Sequence, residues 1–104
     1  MANPILHPEA QREFLSSLKY YKMISVDLSI DFNSRFIESS NHIDQSPLAF
    51  QRLDHNCRRC QLEQFPYCII YHIRNDQIII LAVAHTHQKP GYWKDRLPWS
   101  LEEL

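Results

Sequence analysis

The sequence predicts an α+β domain: an N-terminal antiparallel helix hairpin packed on a small antiparallel sheet of three to four strands, with a short C-terminal helix. Three observations carry this. Up to Pro47 the apolar residues recur at helical spacing; beyond it their period drops to two. The longest apolar run, Ile78 to Ala84, is seven residues, well short of the roughly 20 needed to cross a bilayer, and so reads as a buried strand.

Pro4 to His7 is too short for more than an edge strand. Pro8 and Glu9 then suit a first helical turn, because proline needs no donor there and an acid favours the positive end of the helix dipole. Ala10, Phe14, Leu18 and Tyr21 follow at spacings of four, four and three, which makes an apolar stripe. A second helix begins near Ser25, a good capping residue, carries Leu28, Phe32, Phe36 and Ile43 on one side, and stops at Gln45-Ser46-Pro47. The short link "KMIS" makes the pair antiparallel.

Arg58 to Leu62 is expected as a short strand, Tyr67 to Ile73 as a longer one, and Ile78 to His85, rich in β-branched residues, as the last. "EQFP" and "RNDQ" are short enough to join antiparallel neighbours. The tail from Pro90 to Arg96 makes one short helix before Pro98. Phe14, Leu18, Phe32 and Phe36 are expected to pack on Ile69, Tyr71, Ile78 and Ile80 or on their opposite-face neighbours. Alternation alone does not say which strand face meets the helices.

Composition narrows the function. At 104 residues and 44% hydrophobic, residues 1–104 are expected to form a single domain. The opening "MANPILHPEA" lacks the pattern of a secretory signal, which points to the cytoplasm and away from the membrane. Three cysteines, an odd number, fit reduced thiols better than a disulfide framework. The net charge of −1 argues against broad phosphate-driven binding to nucleic acid, so any such contact needs a local patch. With one glycine, Gly91, there is no glycine-rich phosphate cradle, and no cofactor is expected.

Several local signatures then occur in a recognisable order. "HPEAQREF" opens the first helix and "YY" stands near its end; "RRCQLEQFPYCIIYHI" is a basic strand followed by a Phe-Pro-Tyr entry to the next; "IIILAVAHTHQKPGYWKDR" is the last strand and its tail. In combination they resemble the RelE/ParE superfamily, the toxin halves of bacterial type II toxin-antitoxin pairs. The ParE-like branch is favoured by "FPY", "LAVAH" and the Pro-x-Tyr-Trp feature. Many relatives carry His-x-Arg-Arg-x-Pro after the last strand. Here His85 and Pro90 are present, but the arginine positions fall on His87 and Gln88, which cannot supply bidentate donors.

The resemblance implies a cognate antitoxin as partner, docked on the helix pair through Phe14, Leu18, Phe32 and Phe36. In the ParE manner the target is a protein such as DNA gyrase, met by His87, Lys89, Tyr92, Trp93 and Arg96, and the chain is not an enzyme. In the RelE manner it is a ribosome-dependent messenger endoribonuclease. The catalytic candidates are then His85 or His87 for proton exchange, Arg58 and Arg59 as charge stabilisers beside Lys89, and Tyr92 as a stacking partner. A non-toxic partner-binding member of the fold is the third reading, and a homodimer is left open. Tyr92 and Trp93 read equally well as cover for the core edge.

No metal is expected. Cys57 and Cys60 with His85 and His87 are four candidate zinc ligands, but an odd spacing in a strand sends the two thiols to opposite faces. His85 is expected to follow Ile79, Leu81 and Val83 on one strand face and to fix the strand end by a hydrogen bond, with His87 on the functional edge. The acids Glu9, Glu13, Asp27 and Asp31 read as a solvated helix surface.

Overall fold

The computed structural model describes residues 4–97. Two helices, α1 (Pro8–Ile24) and α2 (Val26–Gln45), lie beside one sheet. Its strands are β1 (Ile5–Leu6), β2 (Gln51–Arg52), β3 (Cys57–Gln61), β4 (Tyr67–Arg74) and β5 (Gln77–His85), in the order β1-β5-β4-β3-β2. The α+β class is as expected, but the sheet is five-stranded and mixed rather than three- to four-stranded and antiparallel. Ile5 and Leu6 pair in parallel with Ile79 and Ile80, while Gln51 and Arg52 add a short edge to Arg59 and Arg58.

His7 caps α1, its Nδ1 accepting the Glu9 backbone N–H at 3.0 Å, and Pro8 takes the first helical position. The expected "KMIS" link is almost all helix. Lys22, Met23 and Ile24 finish α1, and Ser25 alone makes the turn, its N–H bonding the Tyr21 carbonyl at 2.9 Å while its Oγ accepts from Leu28 at 3.3 Å. One serine therefore closes one helix and opens the next, which accounts for the tightness of the hairpin.

Besides Gly91, left-handed backbone falls on asparagine, aspartate, histidine and glutamine. In "RNDQ", Asn75 and Asp76 have φ of 51° and 63°, the double left-handed turn that suits the twist of a two-residue hairpin. His55 and Asn56, at 60° and 57°, turn β2 into β3 in the same manner.

The helices cover one sheet face. Phe32, Phe36 and Ile43 pack with Ile69, Tyr71, Ile78, Ile80 and Val83, with Phe14 and Leu18 against them, so the face left open by alternation is now assigned. The opposite face holds Cys57, Cys68, Ile70, Ile79, Leu81, Ala82 and Ala84, covered in part by Trp93. The tail is shorter in helix than expected: only Lys94–Arg96 form a turn of 3-10 helix. Turns from His85 to Gln88 and from Lys89 to Tyr92 precede it, the second passing through Gly91 at φ +77°. Pro98, expected to stop that helix, lies outside the described residues.

The β4–β5 ladder carries a bulge. Ile70 faces Ala82 and Tyr71 faces Ile80, which leaves Leu81 as the extra residue. Leu81 and Ala82 both join the open-face cluster, and from Val83 onward the alternation is inverted. His85 therefore shares a face with Val83 and Ile80, not with Ile79 and Leu81 as simple alternation predicts.

Burial, and next the nearby Arg96 charge, lower the His7 pKa from its ordinary 6.5, against the opposing effect of Glu9, Glu13 and Asp95. Protonation would also occupy the Nδ1 that caps the helix. The unfolded chain thus binds the proton more readily, so this contribution to stability is full above pH 6.5 and is lost as pH falls through the lowered folded value. The expected result is a melting temperature that declines as pH falls from 6.5 to the lowered folded value. His7→Asn, which keeps a capping acceptor, should shallow the slope; an unchanged slope in urea titrations would remove His7 from the account. His72, also lowered chiefly by burial, should carry part of the remaining slope.

Candidate functional site

Strand β1 ends at Leu6, and the last backbone contact to β5 on that side is the His7 N–H on the Ile80 carbonyl at 2.8 Å. Beyond it the Leu81 carbonyl and the Val83 N–H line an edge that no strand of the described residues covers. Two side chains satisfy them. The Val83 N–H donates to Glu13 Oε1 at 3.0 Å, and Arg96 Nη1 donates to the Leu81 carbonyl at 2.8 Å. Arg96 then meets Glu13 in a two-pronged ion pair, Nη1 to Oε1 at 2.9 Å and Nη2 to Oε2 at 3.0 Å. The Tyr92 hydroxyl donates to Oε2 at 2.7 Å, and the guanidinium carbon lies 5.0 Å from the Tyr92 ring centroid. Burial, followed by the bond to Glu13, raises the Tyr92 pKa, so its hydroxyl stays protonated.

Glu13 is therefore not part of a solvated helix surface. It fastens the C-terminal tail to α1 and to the bulge of β5. One signal was readable: Glu13 stands three residues after Ala10 and four before Ser17, both buried, on the inward side of α1.

The fastened tail forms one wall of a groove on the open sheet face, about 540 Å³ in volume. Cys68, Ile70, Ala84, Leu53 and Trp93 supply apolar lining. Arg52, Arg59, Lys89 and Lys94 supply four positive charges against the single acid Asp54, on a chain whose overall charge is −1. Asp54 and Lys94 form an exposed pair at 3.6 Å. Among the described residues, Arg52, Arg59 and Lys89 have no carboxylate partner within ion-pair distance.

The structure divides the expected site residues. Arg59 and Lys89 line the groove, whereas Arg58 turns to the helix-facing side and donates to the Leu48 and Phe50 carbonyls at 3.2 and 2.9 Å. Tyr92 reaches the groove wall with its hydroxyl held by Glu13; Arg96 is committed to the same carboxylate; and Trp93, 5% exposed, is packing. His85 Nδ1 accepts the His87 N–H at 3.1 Å, which leaves its proton on Nε2. The two rings stack at 5.2 Å, and Tyr67 meets His85 edge-on at 5.1 Å. His87 is exposed and does not line the groove. Of the five catalytic candidates, His85, Arg59 and Tyr92 line the groove, whereas Arg58 is bound to backbone carbonyls on the other face and His87 lies outside the lining.

The four residues expected to hold an antitoxin are the inner seam of the hairpin. Phe32 and Phe36 are buried, and Phe14 and Leu18 are half-buried against the core. The outward apolar residues of the two helices are others: Leu15, Tyr20, Met23, Ile24, Val26, Ile30 and Ile37.

The three thiols are buried, and burial pushes the Cys57 pKa up to about 11. Cys57 packs on the open face and Cys60 on the helix face, as their odd spacing requires. Among the described residues no group of three or more His, Cys, Asp or Glu side chains is placed to hold a metal ion.

Known proteins provide an independent comparison. The family model for the ParE toxin of the type II toxin-antitoxin system parDE matches residues 5–90. Among solved structures, a chain of the chromosomal ParDE TA system from P. aeruginosa superposes with a TM-score of 0.69 at 14% identity, covering 82% of this chain and 96% of that one. At that identity the likeness establishes the fold. No curated protein sequence matches significantly.

Proposed function

Because this chain belongs to the ParE toxin family of type II toxin-antitoxin systems, we propose that it arrests growth in the cytoplasm by binding a protein target such as DNA gyrase, and that a cognate antitoxin neutralises it. The match over residues 5–90 carries this reading. The geometry favours binding over RNA cleavage. Arg58 is occupied by backbone carbonyls, and Tyr92 has its hydroxyl engaged and Arg96 beside its ring. A proton-transfer pair needs its groups converging on one reacting atom. Induced expression should halt growth, and the purified chain should inhibit gyrase supercoiling. Messenger cleavage on ribosomes, with gyrase unaffected, would overturn the proposal in favour of a RelE-like ribonuclease.

The antitoxin is expected to lay an apolar segment over the outward face and tip of the hairpin, where Met23 is 80% exposed and Ile24 and Val26 are each near 60%. Met23→Ser combined with Val26→Ser should change stability by no more than about 0.5 kcal/mol per site, as surface substitutions usually do. The same change should weaken capture by a co-expressed antitoxin and restore growth arrest in its presence. Full neutralisation of the double variant would place the antitoxin elsewhere.

A further inference from the structure

The groove on the open sheet face has an unusual pairing of floor and rim. Its floor is aliphatic, from Ile70, Ala84 and Leu53, while Arg52, Arg59 and Lys89 bring charge that no carboxylate of the described residues offsets. We propose that this groove is a docking site for an extended acidic peptide segment of a partner protein, one that alternates carboxylate and aliphatic side chains. This rests on the reading of the chain as a toxin that acts by binding, and it names the chemistry of the surface that is bound.

Charge complementarity selects an anion. Arginine can grip a carboxylate with two parallel hydrogen bonds, and Lys89 adds an exposed ammonium. The floor then separates two kinds of anion. A single-stranded nucleic acid would need aromatic faces on which its bases could stack. The three rings among the lining residues are already engaged: Trp93 is buried, Tyr92 has its hydroxyl on Glu13 and a guanidinium 5.0 Å from its ring, and His85 is stacked on His87 and met edge-on by Tyr67. An aliphatic peptide side chain needs only the apolar floor. A volume near 540 Å³ is within the range of sites that enclose small ligands, and is ample for a few side chains.

Fluorescence anisotropy on the purified full-length chain tests this with a capped, labelled peptide of alternating glutamate and leucine. The controls replace glutamate by lysine, or leucine by alanine, and an oligouridylate of similar charge is the competing probe. The acidic peptide should bind, both peptide controls should bind weakly, and the oligouridylate should bind more weakly than the acidic peptide. Lys89→Glu, in an exposed turn where folding is insensitive to it, should weaken peptide binding about tenfold. Arg59→Gln should do the same, and Arg12→Gln on α1 should have no effect. Tighter binding of the oligouridylate, equal binding of the lysine peptide, or indifference to Lys89→Glu each overturns the proposal. A chain that arrests growth but ignores the peptide overturns the groove assignment alone. A chain that binds the peptide but neither arrests growth nor inhibits gyrase overturns the toxin reading alone.

Discussion

Phe32→Ala is expected to lower folding stability by about 3–5 kcal/mol, the range for truncating a buried aromatic side chain. Phe32 is 0% exposed and sits at the centre of a ring cluster, with centroids 5.1 Å from Tyr21, 5.2 Å from Phe65, 5.4 Å from Tyr67 and 5.8 Å from Phe14. These contacts join both helices to the β3–β4 connection and to β4, so alanine would leave a cavity that three elements must close at once. A chain of this size has roughly 5–15 kcal/mol in total, and the loss would leave a substantial unfolded fraction at growth temperature. Phe32→Leu, which keeps much of the volume, should cost less than half as much. Urea titration followed by circular dichroism reads both. A midpoint for Phe32→Ala close to the parent would mean that the cluster repacks around the gap. Any loss of antitoxin binding in Phe32→Ala should track the unfolded fraction, because the residue is inside the seam rather than on its outer surface.

The same cluster shows why the helices were legible. Ala10, Phe14, Leu18 and Tyr21 on α1, and Leu28, Phe32, Phe36 and Ile43 on α2, repeat at helical spacing because one face of each helix is buried and the other is not. The turn at Asn75-Asp76 was legible for a local reason, since these side chains tolerate the left-handed backbone that a two-residue hairpin demands. Strand β2 was not legible. Gln51 and Arg52 are both exposed, so no buried face left a periodic trace. The bulge was hidden because Ile78 to Ala84 is apolar on both sides of the strand. Inserting Leu81 changes the face of every later residue without changing the pattern of types, so simple alternation places His85 on the wrong side.

The site was legible only in part for a related reason. Lys89 and Arg59 were singled out as charges, and they do line the groove. What gives the groove its wall is Glu13, some 80 residues earlier in the chain, joined to Tyr92 and Arg96 by sequence separations of 79 and 83. No local spacing rule connects residues so far apart. Arg96 and Tyr92 carried no local sign that their polar groups point inward to a helix acid.

Removing that acid is the second large effect expected. Glu13→Ala should destabilise the chain by about 2–4 kcal/mol, somewhat below the figure for a fully buried pair, because the Arg96 and Glu13 side chains remain 12% and 24% exposed. Three donors lose their acceptor together: the Val83 N–H, the Tyr92 hydroxyl and the Arg96 fork. Arg96→Ala should cost less. In that variant Glu13 keeps two donors, and the main new deficit is the Leu81 carbonyl at the bulge. The double variant should be less destabilised than the two singles added together, by a coupling of about 1–3 kcal/mol, since each single change already breaks the shared pair. Amide exchange at Val83 gives a readout that mere loss of packing would not produce. It should accelerate in Glu13→Ala beyond its neighbours in β5, and little in Arg96→Ala, because Val83 bonds to the carboxylate and not to the guanidinium. Additive singles with Val83 protection unchanged in Glu13→Ala would mean that the tail is held by Trp93 packing alone. If the coupling is found, Glu13→Ala should also weaken acidic-peptide binding at temperatures where the chain is still folded, because Tyr92, Trp93 and Lys94 line the groove and depend on that carboxylate to stay in place.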